Sequence, residues 1–167
     1  MNNNDILLRL RYALDIKDTD IIKAFELGGL EVSREEERAM LTKVHDQVFE
    51  EDDSFEKNVY EKMINNKLLD TFLNGFIILK RGEPKNPVPQ PKNGEVKHIN
   101  NVLLKKVKIA LALTSDDMLD ILARAGVYPS KGELGAILRK EGHRNFKPCG
   151  DKYARNFLKG LALYYRD

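Results

Sequence analysis

One segment of this chain occurs twice, and that limits the available folds more than any other feature. Residues 3–43 align with residues 100–140 at a constant offset of 97 and without a gap. Twelve of the 41 pairs are identical: Asn3, Asn4, Leu7, Ala13, Leu14, Asp20, Gly29, Ser33, Glu36, Ala39, Leu41 and Lys43. A second block, Phe72-Leu73-Asn74-Gly75, returns as Phe157-Leu158-Lys159-Gly160 at an offset of 85. The first copy therefore carries 12 extra residues between Lys43 and Asn66, including the acidic run Glu50-Glu51-Asp52-Asp53. Half a chain of this length buries only about 60% of its unfolded surface, whereas the whole buries about 70%. The two copies should therefore pack on each other.

Apolar spacing within each copy is helical. Ile6, Leu7, Leu10, Ala13 and Leu14 form one stripe, matched by Leu103, Leu104, Val107, Ala110 and Leu111. The preceding Asn pairs have the chemistry of helix caps. A second helix carries Ile21, Ile22 and Phe25, matched by Met118, Leu119 and Leu122, and Gly29 and Gly126 end it. Thr114 with Asp117 has cap spacing at its start in the second copy; Lys17 to Asp20 is a poorer start in the first. Ser33 with Glu36, and Ser130 with Glu133, predict capping boxes for a third helix. A closing helix starts near Asn66 and Asp151, and Val59, Tyr60, Met63 and Ile64 before it suggest an added helical turn or an extension of the closing helix. A mid-helix glycine costs about 1 kcal/mol against alanine. Gly75 and Gly160, beside Phe72 and Phe157, are therefore read as points of close helix packing.

These elements predict an all-α protein: two homologous repeats of about four helices each, packed with pseudo-twofold symmetry. The first repeat spans residues 1–82 and the second 99–167. The connector, 83–98, holds four of the six prolines, so it favours extended linker geometry.

The Asn-Asn pairs, the Ser-x-x-Glu boxes and the Phe-Leu-x-Gly blocks, with Asn145-Phe146-Lys147-Pro148-Cys149-Gly150-Asp151, together resemble the bacterial YehS-like family. That family is a domain of unknown function found as a tandem pair. The resemblance covers nearly the whole chain and implies a small helical cytoplasmic protein. It implies no reaction and no catalytic residues. The acidic insert departs from the family's shorter pattern.

Chemistry is sparse. The histidines, His45, His98 and His143, have no metal-ligand spacing, and no Cys-x-x-Cys occurs, so no metal and no cofactor is expected. Cys149 is the only cysteine, and Ile64 aligns with it, so it reads as a small half-buried hydrophobe rather than a nucleophile. An enzyme is the less favoured reading. The absence of a basic, apolar leader, of a long apolar run and of any disulfide pair suggests a cytoplasmic protein with no membrane partner.

Charge separates the copies. Residues 1–82 hold 12 Lys+Arg and 17 Asp+Glu, net −5; residues 99–167 hold 13 and 7, net +6. The leading expectation is a non-catalytic binding or regulatory protein acting through protein–protein contacts, including self-association. The alternative is nucleic-acid binding by the second repeat, whose helix-turn-helix outline is joined by Arg139, Lys140, Arg144, Lys147, Lys152, Arg155 and Lys159. Lys152, Arg155 and Lys159 are expected on one face of the closing helix, opposite its apolar stripe. Glu35, Glu36 and Glu37 would repel phosphates at the matching place in the first repeat. A site between the repeats, used by an enzyme or small-ligand binder, is the third reading.

Overall fold

The computed structural model describes residues 1–44, 58–84 and 95–166. The acidic run Glu50–Asp53, His45 and most of the proline-rich connector lie outside the described residues. Among the described residues there are eight helices and no strand beyond one isolated bridge, Lys43 with Tyr60. The first repeat contributes α1 (Asn3–Leu14), α2 (Asp18–Leu27), α3 (Arg34–Leu41) and α4 (Asn66–Arg81). The second contributes α5 (Ile99–Ala110), α6 (Ser115–Arg124), α7 (Lys131–Leu138) and α8 (Asp151–Arg166).

The local signals that repeat in the sequence repeat in the backbone. Asp15 and Ala112, one offset apart, both turn left-handed after the first helix (φ 52 and 54). Gly29 and Gly126 take φ 105 and 82 after α2 and α6. There the Leu30 and Val127 amides return to the Phe25 and Leu122 carbonyls, closing the helix ends. Ser33 and Glu36 form the reciprocal box, as do Thr114 and Asp117. Ser130 accepts from the Glu133 amide at 3.1 Å, but the exposed Glu133 carboxylate makes no return bond.

Packing exchanges the closing helices between repeats. α2 packs on α4 and α6 on α8, each within its own repeat. α1, however, packs chiefly on α8, and α5 chiefly on α4. Each first helix thus finds its main partner in the other copy, which makes the two crossings equivalent under the pseudo-twofold axis. One continuous core results, running through Leu7, Leu10, Phe25, Phe72, Leu104, Val107, Leu122 and Phe157. Burying each such side chain stabilises the fold by about 1.5–3 kcal/mol.

Gly75 lies where α4 meets α2: a Cβ there would sit 1.5 Å from the Ala24 carbonyl oxygen. Gly160 occupies the equivalent place on α8, where a Cβ would sit 2.1 Å from the Ile121 oxygen. Phe72 is fully buried against Phe25 and Phe76, with centroids at 5.5 and 5.8 Å, and Phe157 is fully buried on α8.

Three local expectations need correction. The Asn pairs do not cap their helices. Asn2 caps α1, boxed with Asp5, and His98 stands before α5 without a side-chain cap. The pairs instead tie the end of the third helix to the non-helical segment that precedes each closing helix. Asn4 Nδ2 donates to the Met40 and Lys62 carbonyls (2.9 and 2.8 Å), and its Oδ1 accepts from the Ile64 amide at 3.0 Å. Asn101 repeats this with Ile137, Lys147 and Cys149 at 3.0, 2.8 and 2.7 Å. Asn3 and Asn100 donate to Asn66 and Asp151, each at 2.8 Å. A buried amide with all its partners supplied is tertiary architecture. The second correction follows: Val59 to Ile64 form neither a helical turn nor an extension of α4, which starts at Asn66, because their backbone is committed to Thr42, Ala39 and Asn4. The third concerns Glu37, read with Glu35 and Glu36 as part of a face that would meet and repel phosphates, which instead is buried in the core.

Candidate binding surface between α1 and α8

The α1–α8 crossing is set by the same apolar stripes as its α5–α4 counterpart, but its charges differ. In the α5–α4 crossing, the Lys106 ammonium forms an ion pair with Asp70 and donates to Asn74 Oδ1 at 2.6 Å. Both charged side chains are largely covered, 24% and 14% exposed, so the pair is shielded from solvent screening. The repeat offsets place Arg9 where Lys106 stands, Arg155 where Asp70 stands and Lys159 where Asn74 stands. One cation with two acceptors is replaced by three cations. None of the three takes part in an ion pair among the described residues.

Arg9 and Lys159 line a half-open cleft of about 250 Å³ with Leu8, Tyr12, Leu158 and Ala162. Arg155, one helical turn before Lys159, is half-buried. The floor is apolar and the rim is cationic. Asp5, one turn before Arg9, does not neutralise it: its carboxylate is buried and accepts from Tyr60 (2.5 Å), Asn58 (3.1 Å) and the Asn2 amide (3.1 Å). Arg166 lies over Tyr12, its guanidinium 4.3 Å from the ring centroid and donating to the Tyr12 carbonyl at 2.9 Å. A second hollow, about 430 Å³, lies where Leu14, Asp15, Lys80, Leu111 and Tyr165 meet.

The basic residues singled out from the sequence therefore separate into two groups. Lys159, exposed on α8, lines the cleft with α1, and the half-buried Arg155 stands one turn before it, both away from the buried stripe of Ala154, Phe157, Leu158 and Leu161. Lys152 is exposed at the start of α8, and Arg139, Lys140, Arg144 and Lys147 are exposed on the segment before it. Arg9, Leu8 and Tyr12 were not singled out from the sequence. Comparing the copies gives Arg9 no signal, because it aligns with another cation, Lys106; the change from an acid and an amide to two cations falls on Arg155 and Lys159.

The thiol and imidazoles lie apart from this cleft's lining and are engaged elsewhere. Burial, aided by Asp151, pushes the Cys149 thiol up to about 12, so it holds its proton at neutral pH. His98 stacks edge-on with Phe146 at 5.2 Å, and His143 Nδ1 accepts from the Asn145 amide at 3.1 Å. Among the described residues no three His, Cys, Asp or Glu side chains converge as a metal site, and no helix is long and apolar enough to cross a membrane.

Glu37 is the most perturbed acid. Its side chain is fully buried, and neither carboxylate oxygen has a hydrogen-bond partner. Desolvation, then the neighbouring Asp18 carboxylate, raises it from 4.5 to about 7. Asp18 bonds Arg11 at 3.0 Å and is held below its usual range, chiefly by the neighbouring Glu37 carboxyl in its protonated form and then by Arg11. The aligned residue in the second repeat is the buried Leu134.

The family model described as "Protein of unknown function (DUF1456)" matches residues 3–82 and again residues 100–167. The chain belongs to that family, and the two matches fall on its two repeats. It is 36% identical over 163 residues to "Uncharacterized protein YehS" of Escherichia coli (strain K12), covering 97% of this chain and 95% of that protein. No solved structure matches.

Proposed function

We propose that this member of the family is a non-catalytic binding protein of the cytoplasm that works through protein–protein contacts, with the α1–α8 crossing as its contact surface. One observation supports the reading: of two crossings that symmetry makes equivalent, one pairs its cation with Asp70 and Asn74, and the other presents Arg9 and Lys159 around an apolar floor with Arg155 one turn before Lys159. Unpaired like charges at a helix crossing oppose packing by a few tenths of a kcal/mol each. Such a cost is understandable where a partner supplies the missing acids. The buried, protonated Cys149 supports a role other than nucleophilic catalysis.

The test is affinity capture from the host lysate with the wild-type chain and the Arg155→Glu/Lys159→Glu variant. Proteins retained by the wild type should be released by raised salt and be missing from the variant. An identical set on both would refute the assignment of this surface. A second reading, nucleic-acid binding, is favoured by the exposure of Arg139, Lys140, Arg144, Lys147 and Lys152 on adjoining segments. It expects salt-dependent binding of DNA or RNA that weakens when Arg144 and Lys147 are neutralised.

A further inference from the structure

We infer that the partner element taken by the α1–α8 cleft is an extended acidic peptide with one large apolar side chain flanked by carboxylates, an inference that rests on the binding surface proposed above. The α5–α4 crossing shows the complement that the cationic crossing lacks. There an acid and an amide one turn apart on the closing helix satisfy the lysine of the first helix. At the α1–α8 crossing both those positions are cations, and among the described residues no carboxylate pairs with them, so the acceptors are assigned to a partner.

Spacing and shape fix the class of partner. Arg155 and Lys159 are one turn apart, a rise of about 6 Å along α8. In an extended peptide, side chains two positions apart on the same side are separated by about 6.6 Å. An apolar side chain seated on the floor of Leu8, Leu158 and Ala162, within a cleft of about 250 Å³, therefore has a carboxylate two positions away to either side on the same face, within reach of the long rim cations Lys159 and Arg9, with Arg155 one turn along α8, while its immediate neighbours point away from the cleft. That volume is near the lower end of ligand pockets, about 300 Å³, and takes one large side chain. Phosphates of a single nucleic-acid strand would meet the cations, but bases bind by stacking on open aromatic faces. Tyr12, the one aromatic residue of the lining, holds the Arg166 guanidinium 4.3 Å from its ring centroid, so the cleft offers at most a single stacking position and no run of aromatic faces. The floor is otherwise aliphatic, which favours a peptide.

The test uses the full chain and a fluorescein-labelled peptide Glu-Glu-Phe-Glu-Glu, read by anisotropy. Wild-type protein should bind it in about 50 mM salt and lose at least about tenfold in affinity near 500 mM, where the Debye length falls to about 4 Å. Arg155→Glu and Lys159→Glu should each weaken binding about tenfold or more. Lys131→Glu, away from the cleft on α7, should leave it unchanged. Replacing the peptide's Phe by Ser should weaken it further at fixed charge. Circular dichroism of each variant shows that it is folded. The inference is overturned if the charge reversals leave affinity unchanged, or if the Phe-to-Ser peptide binds as well as the parent. It is also overturned if an oligothymidylate binds more tightly than the peptide through Arg155 and Lys159; the basic surface would then stand with a different partner. If neither probe binds and lysate capture is identical for wild type and double variant, the surface itself is wrong.

Discussion

Replacing Glu37 by leucine should stabilise the protein, and more strongly as pH rises. Glu37 is fully buried without a hydrogen-bond partner, and the same position in the second repeat holds the fully buried Leu134. Its carboxyl is raised from 4.5 to about 7, so between those values the folded chain holds a proton that the unfolded chain has released. The penalty is absent below the unfolded value, grows as pH rises and is complete above the folded value. At about 1.4 kcal/mol per pH unit, the full penalty is about 3 kcal/mol above neutrality. Asp18 does not mask it: its value is lowered from 3.8, so its contribution is already established below this window. Glu37→Leu should therefore add about 3 kcal/mol near pH 8 and about 1 kcal/mol or less near pH 4.5. Glu37→Gln should remove the same pH dependence while keeping a buried polar group. Urea unfolding followed by far-UV circular dichroism reads the effect, with slopes of about 2 kcal/mol per molar giving a midpoint shift of about 1.5 M at the higher pH. An equal shift at both pH values would refute the titration of Glu37 in this window. A lowered midpoint at both would show that the site does not accept leucine.

Other perturbations test the architecture. Gly75→Ala and Gly160→Ala should each cost about 3 kcal/mol or more in thermal or urea melts, because Cβ would overlap a backbone carbonyl of the facing helix. Gly135→Ala, on α7 with open space around it, should be neutral or stabilising by up to about 1 kcal/mol. Asn4→Ala and Asn101→Ala should each cost about 3 kcal/mol by stripping partners from two buried carbonyls and an amide; a cost near 1 kcal/mol in the same melts would fit mere capping. Residues 1–82 and 99–167 expressed separately should each show weak helicity and gain it on mixing. Because the exchanged crossings are mainly apolar, raised salt should weaken that association only modestly, despite the opposite net charges of −5 and +6.

The repeat made the helix count and the all-α class legible, since each stripe and turn signal occurs twice in register. What it could not supply was the partner of each helix. The stripe of α1 would serve equally against α4 or α8, and only assembly of both copies decides. The Asn pairs misled because a capping Asn and a tertiary Asn have the same local chemistry at a helix start. Asn2, the actual cap of α1, aligns with Ile99, so the repeated pair answers to a shared tertiary role. Glu37 was hidden by its neighbours: within Glu35-Glu36-Glu37 composition suggests solvent, and only its alignment with Leu134 points inward. The cationic crossing was readable as a charge change between copies, but its cleft required Arg9 to be placed across from Lys159.

The central claim is that the α1–α8 crossing keeps its cations for binding rather than for packing. The most direct measurement grafts the neutral arrangement onto it, with Arg155→Asp and Lys159→Asn copying Asp70 and Asn74, and follows peptide affinity alongside the urea midpoint. With Arg9 then paired as Lys106 is, the midpoint should rise by about 0.5–1 kcal/mol equivalent while binding of the acidic peptide is lost. A lowered midpoint with binding intact would contradict the claim.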